Sequence, residues 1–207
     1  DRPTLRIYNV ISSYNWDDFD NMLDFAHRVK ADAVDFTPTD IVPGKTDCLM
    51  LNKEQRTYLK NKMDNLDTAL LRLERKYAHK LSFMNREQFS RRLESRQTED
   101  GIYDESIIGK MPCYAGWTFL RILADGNVNA CLKAVRIPIG NIHTDSIRSI
   151  WKNKKQGEFR RHTINYDVND PFFENIGNSH QKVKNGCLLC CDNLGLNLLF
   201  DGKLNHK

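Results

Sequence analysis

The sequence predicts an α/β protein in two parts: a first part built on a parallel β-sheet, and a smaller second part of α+β type. In the first part, strand-like apolar runs at residues 5–11 and 33–36 flank an amphipathic helical stripe. This order is that of a βαβ unit, whose crossover places both strands in one parallel sheet. In the second part, strand-like runs at residues 118–123 and 128–132 flank Asp125-Gly126. An Asp-Gly pair in that position is a strong signal for a β-hairpin.

The elements of the first part follow from apolar spacing and turn residues. The helical stripe recurs at Trp16, Phe19, Leu23 and Ala26. The loop at 37–48 leaves the C-terminal end of the second strand, which is the edge where ligands bind in α/β sheets and barrels. This loop carries Cys48.

Asn52, with Gln55 three residues later, has the pattern of a capping box. Apolar residues then recur at steps of four and three up to Tyr77, which predicts one long helix docked on the sheet. A shorter helix is expected at residues 85–94.

A composition shift around residues 99–109 is the candidate domain boundary, and it gives two predicted domains, 1–100 and 101–207. If Asp125 and Gly126 form the centre of the hairpin turn, Cys131 lies opposite Leu120. Gly116 could supply the bend that folds Cys113 back. Thr144 is predicted to cap a short amphipathic helix, and the remainder up to residue 186 is polar and turn-rich.

Composition and charge indicate an ordinary soluble surface. The 207 residues include 31 basic and 27 acidic side chains, and neither sign forms a block. We therefore predict no nucleic-acid and no membrane partner. There is no run of 18 apolar residues and no signal-peptide pattern at the N-terminus, so we expect a cytoplasmic protein with reduced thiols. Because the chain begins at Asp1 and not at a methionine, we expect a fragment or a processed product.

Five of the six cysteines fall in the second half, as one wide pair and one close cluster. Cys113 and Cys131 fit C-x12-G-x4-C, and Cys187 and Cys190 fit C-x2-C, with Cys191 adjacent. Two thiolates from each group would complete a four-sulfur site. Thiolates select iron-sulfur clusters or zinc, and spacing alone does not separate these two. Disulfides would require an oxidising compartment, for which the chain offers no targeting signal.

The segment from Cys113 to Cys191 resembles the SPASM/twitch extension at the C-terminus of many radical SAM enzymes. The matching elements are CYAGWTFLRILADGNVNAC, then IGNIHTDSIRSIWKNKKQGEFRR, then GCLLC, in the order of that family. The resemblance covers roughly residues 110–195. Residues 4–95 look more loosely like the last β/α units of the radical SAM partial barrel. The implied fold is therefore the C-terminal part of a partial (β/α) barrel, followed by a small SPASM/twitch-like domain with a β-hairpin.

This resemblance implies one auxiliary 4Fe-4S cluster, held by Cys113, Cys131, Cys187 and Cys190, with Cys191 as a substitute for Cys190. A full SPASM domain has seven cysteines and two auxiliary clusters, so this chain supports one at most. The CxxxCxxC motif that holds the catalytic cluster in the family is absent from the 207 residues. S-adenosylmethionine and a second 4Fe-4S cluster would therefore come with an N-terminal radical SAM half, on the same or a separate chain, and this chain alone should not cleave S-adenosylmethionine.

The expected function is to support radical modification of a peptide, a sugar or another small substrate. In the family, such clusters are implied to relay an electron from a substrate radical or to bind substrate. The alternative from a different class is a zinc-stapled structural or interaction module, in which the same cysteines only hold the fold together.

Overall fold

The computed structural model describes residues 3–42, 44–95, 98–167, 169–177, 186–189 and 191–205. The chain divides into two compact units, Asp1–Tyr103 and Asp104–Lys207. Each unit contains its own small β-sheet and its own buried apolar cluster. The predicted α/β class is confirmed, while the identities assigned to the two domains stay predictions.

The first unit is built on a three-stranded parallel sheet. Strand β1 (Arg6–Ile11), helix α1 (Phe19–Arg28) and strand β2 (Ala33–Pro38) form the predicted βαβ unit. Strand β2 lies between β1 and the short strand β3 (Ser82–Phe83), and both pairings are parallel. Five of the six residues of β2 are buried, as expected for a central parallel strand. On β2, Asp35 is buried and pairs with Arg6 of β1.

The helices of the first unit cover this sheet with apolar faces. They are α1, α2 (Lys53–Asp64), α3 (Leu66–Tyr77) and α4 (Arg86–Glu94). At the start of α2 the predicted capping box is confirmed, because Asn52 Oδ1 accepts from the Gln55 amide and Gln55 Oε1 accepts from the Asn52 amide. The core of the unit includes Phe19, Phe36 and Phe89, whose rings pack against one another.

The prediction of a single long helix from Asn52 to Tyr77 is wrong. The chain leaves the helical conformation at Asn65, with φ −100° and ψ 8°, and so separates α2 from α3. The Asn65 side chain donates to the Asn61 carbonyl oxygen at 2.8 Å. Asparagine competes in this way with the backbone for hydrogen bonds. Because the apolar spacing continues across the break, the spacing alone does not reveal it.

The second unit contains a three-stranded antiparallel sheet. Strand β4 (Arg121–Ile122) pairs with β5 (Asn127–Asn129), which pairs with β6 (Gly140–Asn141). The predicted hairpin is therefore confirmed, but the strand-like run at 118–123 is largely not a strand. Its first residue, Thr118, ends a short helix, α5 (Ala115–Thr118).

The predicted hairpin register is wrong by one residue. Arg121 pairs with Asn129, so Cys131 does not oppose Leu120. The connection closes with the Leu123 amide donating to the Asn127 carbonyl, and Gly126 has φ +82°. This is a three-residue loop with glycine in the left-handed region, not a two-residue turn.

The described residues of the second unit also form the α-helices α6 (Ile147–Lys152), α7 (Lys154–Ile164), α8 (Gly186–Leu189) and α9 (Leu194–Asn205). Helix α6 is capped by Ser146, whose side chain accepts from the Ser149 amide, and not by Thr144. The stretch predicted as turn-rich contains α7, whose sequence KKQGEFRRHTI is polar on most of its surface. Throughout the described residues, no helix combines the length and the apolar character needed to cross a membrane.

Candidate metal centre

Four cysteines from separate segments of the second unit come together. Cys113 precedes α5, Cys131 follows β5, Cys187 lies in α8, and Cys191 lies between α8 and α9. They are close enough that the charge of one sulfur raises the pKa of another: Cys113 acts on Cys131, and both act on Cys187 and Cys191. Cys190, the predicted fourth ligand, lies outside the described residues. Cys48, exposed in the first unit, is not part of this group.

Backbone contacts fix the segments that carry the first two cysteines. The Cys113 amide donates to the carbonyl oxygen of Thr163 in α7 at 2.9 Å. Just beyond, the Gly116 carbonyl accepts from Gln156 Nε2 at 2.6 Å and from Arg160 Nε at 2.9 Å. Helix α7 therefore anchors both Cys113 and Gly116, and Gly116, which was predicted to supply a bend, lies within α5. A turn follows Cys131, in which the Ala134 amide donates to the Cys131 carbonyl.

Helix α8 is held against the rest of the unit at its first residue. Gly186 lies so close to the Ile176 backbone that a side chain at this position would overlap the Ile176 carbonyl oxygen. The residue after Ile176, Gly177, donates its amide to the Lys133 carbonyl oxygen at 2.9 Å. Lys133 lies two residues after Cys131. This chain of contacts thus connects Cys187 to the segment that carries Cys131.

Burial makes the negatively charged form of each of these four thiols unfavourable. Desolvation is the main cause that raises the pKa of Cys113, Cys187 and Cys191, and it raises the pKa of Cys131 to about 12. Repulsion between neighbouring sulfurs adds to this effect for all but Cys113. Four partly buried thiolates at one place therefore need a compensating cation, and iron or zinc ions supply that charge.

Hydrogen-bond donors surround the sulfurs. Cys131 Sγ accepts from the Lys133 amide at 3.4 Å and from Asn193 Nδ2 at 3.6 Å. Cys113 Sγ accepts from Asn197 Nδ2 at 3.5 Å. The hydroxyl group of Tyr166 lies beside Cys187. Burial is the main cause that raises the pKa of this tyrosine, and the charge of the Cys187 sulfur is the second. Donors of this kind suit thiolate ligands, which accept hydrogen bonds and do not donate them.

Charged side chains also border the sulfurs. Lys133 is buried, its Nζ lies 3.5 Å from a carboxylate oxygen of Asp192, and its charge lowers the pKa of Cys131 and Cys187. Asp104 accepts from the Cys191 amide at 2.8 Å. The site therefore carries a buried cation among the thiols, with acidic groups on the side of Cys191.

The donor set fits an iron-sulfur cluster. The five described cysteines are all free, and Cys113, Cys131 and Cys187 pack against the apolar core of the second unit. Thiolate ligands in an apolar setting with donors to sulfur are typical of iron-sulfur sites. In the part of the chain that the structure describes, no three His, Cys, Asp or Glu side chains converge on a position for a single metal ion.

Sequence reasoning misses the residues that contact the sulfurs: Lys133, Tyr166, Asn193 and Asn197. The apolar run at 194–200 indicates a packing element, and it is part of α9. Asn193 and Asn197 are separated by three residues, which places two carboxamides on one face of a helix. This spacing, directly after the cysteine cluster, is the feature of the sequence that could have indicated that both asparagines contact the sulfurs.

Comparison with protein families gives a match within the second half of the chain. Residues 113–191 match the family model of SPASM, an iron-sulfur cluster-binding domain. The match begins at Cys113 and ends at Cys191, two of the four cysteines that lie together. The resemblance of residues 113–191 to SPASM iron-sulfur domains is therefore confirmed.

Among solved structures, SuiB from Streptococcus suis bound to S-adenosylmethionine is similar at 16% identity over 76% of this chain, with a TM-score of 0.47. BtrN in an open conformation is similar at 12% identity over 90% of this chain and 98% of its own, with a TM-score of 0.30. The chain spans only 35% of the SuiB chain. No curated protein matches the sequence.

Proposed function

We propose that this chain binds one auxiliary 4Fe-4S cluster and serves as the C-terminal portion of a radical SAM enzyme. Three ligands are Cys113, Cys131 and Cys187, and the fourth is Cys190 or Cys191. The observation that carries the proposal is the meeting of four free, partly buried cysteines within the segment that matches the SPASM iron-sulfur domain.

The chain's own residues prepare this site in two ways. The donors from Asn193, Asn197 and the Lys133 amide face the two sulfurs of the wide cysteine pair. The ammonium group of Lys133 offsets part of the negative charge that four thiolates bring. When bound, an iron-sulfur cluster supplies one-electron transfer at such a site.

The partner that we propose is an N-terminal radical SAM half, on the same or a separate chain, that carries the CxxxCxxC motif. The first unit supports this through its outer strand. Within the described residues, β1 pairs with β2 on one side only, and its Tyr8 and Val10 side chains are 66% and 54% exposed. An open strand edge with apolar side chains is suited to pairing with a further strand. The reaction would be a radical modification of a peptide, a sugar or another small substrate.

Reconstitution with iron and sulfide under anaerobic conditions tests the cluster. We expect about four irons per chain, the content of one cubane with four thiolate ligands. Replacement of Cys113, Cys131 or Cys187 by serine should remove most of that iron. Cys48→Ser, in the exposed loop of the first unit, is the matched control and should retain it.

The fourth ligand is identified by comparing Cys190→Ser with Cys191→Ser, because only the variant that lacks a ligand should lose iron. Unchanged iron in the Cys131→Ser variant would contradict the ligand assignment. Purified protein that contains zinc, is colourless under anaerobic conditions and takes up no iron would instead support the zinc-stapled module.

A further inference from the structure

Two asparagines at α9 point their carboxamides at the cysteine site. Asn193 immediately precedes the helix, and Asn197 follows one turn later, with its amide bonded to the Asn193 carbonyl oxygen at 2.9 Å. Both are buried, at 5% and 3% exposure. Residues four apart lie on the same face of a helix, so both side chains face the sulfurs, one at Cys131 and one at Cys113.

The orientation of the Asn197 carboxamide follows from its second contact. The Tyr114 amide donates to Asn197 Oδ1 at 2.9 Å. A backbone N–H only donates, so the atom that it contacts must be the oxygen of the carboxamide. The NH2 group is therefore the one that faces Cys113 Sγ at 3.5 Å. The side chain is held at both ends, with the sulfur as its acceptor.

Asn193 has a simpler role. Its side chain donates from Nδ2 to Cys131 Sγ at 3.6 Å. A buried amide stabilises the protein only if it is hydrogen-bonded. An asparagine at this buried place is explained by the sulfur that it contacts.

We propose that Asn193 and Asn197 are positioning residues that set the reduction potential of the cluster through hydrogen bonds to its cysteine ligands. This proposal rests on the proposed function, namely that Cys113 and Cys131 are ligands. Reduction adds an electron and makes the ligand sulfurs more negative. A hydrogen bond to a more negative acceptor is stronger. The two carboxamides therefore stabilise the reduced state and raise the potential.

The test measures the midpoint potential of the reconstituted chain by redox titration followed by electron paramagnetic resonance. Asn197→Asp keeps the oxygen that accepts from Tyr114 and replaces the donor by an anionic oxygen. Asn193→Leu removes the bond to Cys131 without adding charge and with similar volume. Asn61→Asp, on the exposed surface of α2 in the first unit, is the control for a change of charge alone.

We expect Asn197→Asp to make the midpoint potential of the cluster more negative. At a fixed potential, the ratio of reduced to oxidised cluster should fall at least tenfold, which corresponds to about 59 mV for one electron. Asn193→Leu should shift the potential in the same direction by less, and Asn61→Asp should leave it unchanged. All variants should retain about four irons.

An unchanged potential in Asn193→Leu with its iron retained overturns the proposal, even if Asn197→Asp shifts it, because the added charge alone would explain that shift. If the variants fail to load iron, the wild-type chain labelled with 15N-asparagine decides the question. Pulsed electron paramagnetic resonance of its reduced cluster should detect coupling to asparagine nitrogen, and its absence overturns the proposal. Failure of the wild-type chain to bind iron would instead contradict the proposed function.

Discussion

At Gly186 the chain has no space for a side chain, because a Cβ there would overlap the Ile176 carbonyl oxygen. Gly186→Ala must therefore displace the start of α8, and with it Cys187. We expect a loss of about 1–3 kcal/mol of stability and a lower iron content after reconstitution. Chemical denaturation and iron analysis measure the two effects.

Gly157 provides the matched control, because it is exposed in the N-terminal half of α7 and a Cβ there would meet nothing within 4 Å apart from its chain neighbours and the backbone of the helix itself. Gly157→Ala should stabilise the chain by about 0.5–1 kcal/mol, because alanine loses less conformational freedom in a helix. A Gly186→Ala variant with wild-type stability and iron content would show that α8 is free to move away from Ile176.

Single residues differ in how far the sequence predicts their roles. The cysteines could be predicted as metal or cluster ligands because their spacing is typical of such sites whatever the fold. Asn197 could not, because its contact with Cys113 joins positions 84 residues apart. Asparagine in a helix is also compatible with many ordinary roles. Only the packing of α9 against the start of α5 reveals which role it has.

Among the elements, α2 is stabilised by the residue that precedes it. Asn52 caps the helix with a reciprocal pair of hydrogen bonds to Gln55. Asn52→Ala leaves amide groups without this acceptor and should lower the free energy of unfolding by about 1 kcal/mol. Asn61→Ala, on the exposed surface of the same helix, is the control and should be neutral or slightly stabilising. Equal effects of the two substitutions in chemical denaturation would show that the capping box contributes nothing.

Elements were predictable where a local pattern determines them and not where tertiary contacts do. The βαβ unit and the cap of α2 follow from apolar spacing and turn residues, and both are present. The break at Asn65 and the register of the hairpin depend on a few hydrogen bonds that leave the apolar pattern unchanged. Helix α7 was missed because its few buried residues, among them Gln156 and Phe159, do not form an apolar stripe.

The whole chain consists of two units with separate cores, and the described cysteines of the site all belong to the second. The sequence predicted this concentration of cysteines because five of the six follow residue 112. It could not predict which unit a bound cluster would stabilise more. That depends on how much apolar surface each unit buries without metal. Among the described residues, the apolar core of the first unit contains fifteen buried side chains, whereas that of the second contains nine, with Cys113, Cys131 and Cys187 packed against it.

Cluster binding should therefore stabilise residues 104–207 far more than residues 3–103. A cluster bound as proposed would join the segments around Cys113, Cys131 and Cys187, and closing these loops would remove conformational freedom from the unfolded chain. Hydrogen exchange with and without iron should show increased protection in α5, α8 and α9 and little change in α1 and α2. The Cys131→Ser variant should lack the increase, while Cys48→Ser should retain it. Equal increases in both units would mean that they unfold together, and that the cluster stabilises the chain as a single cooperative unit.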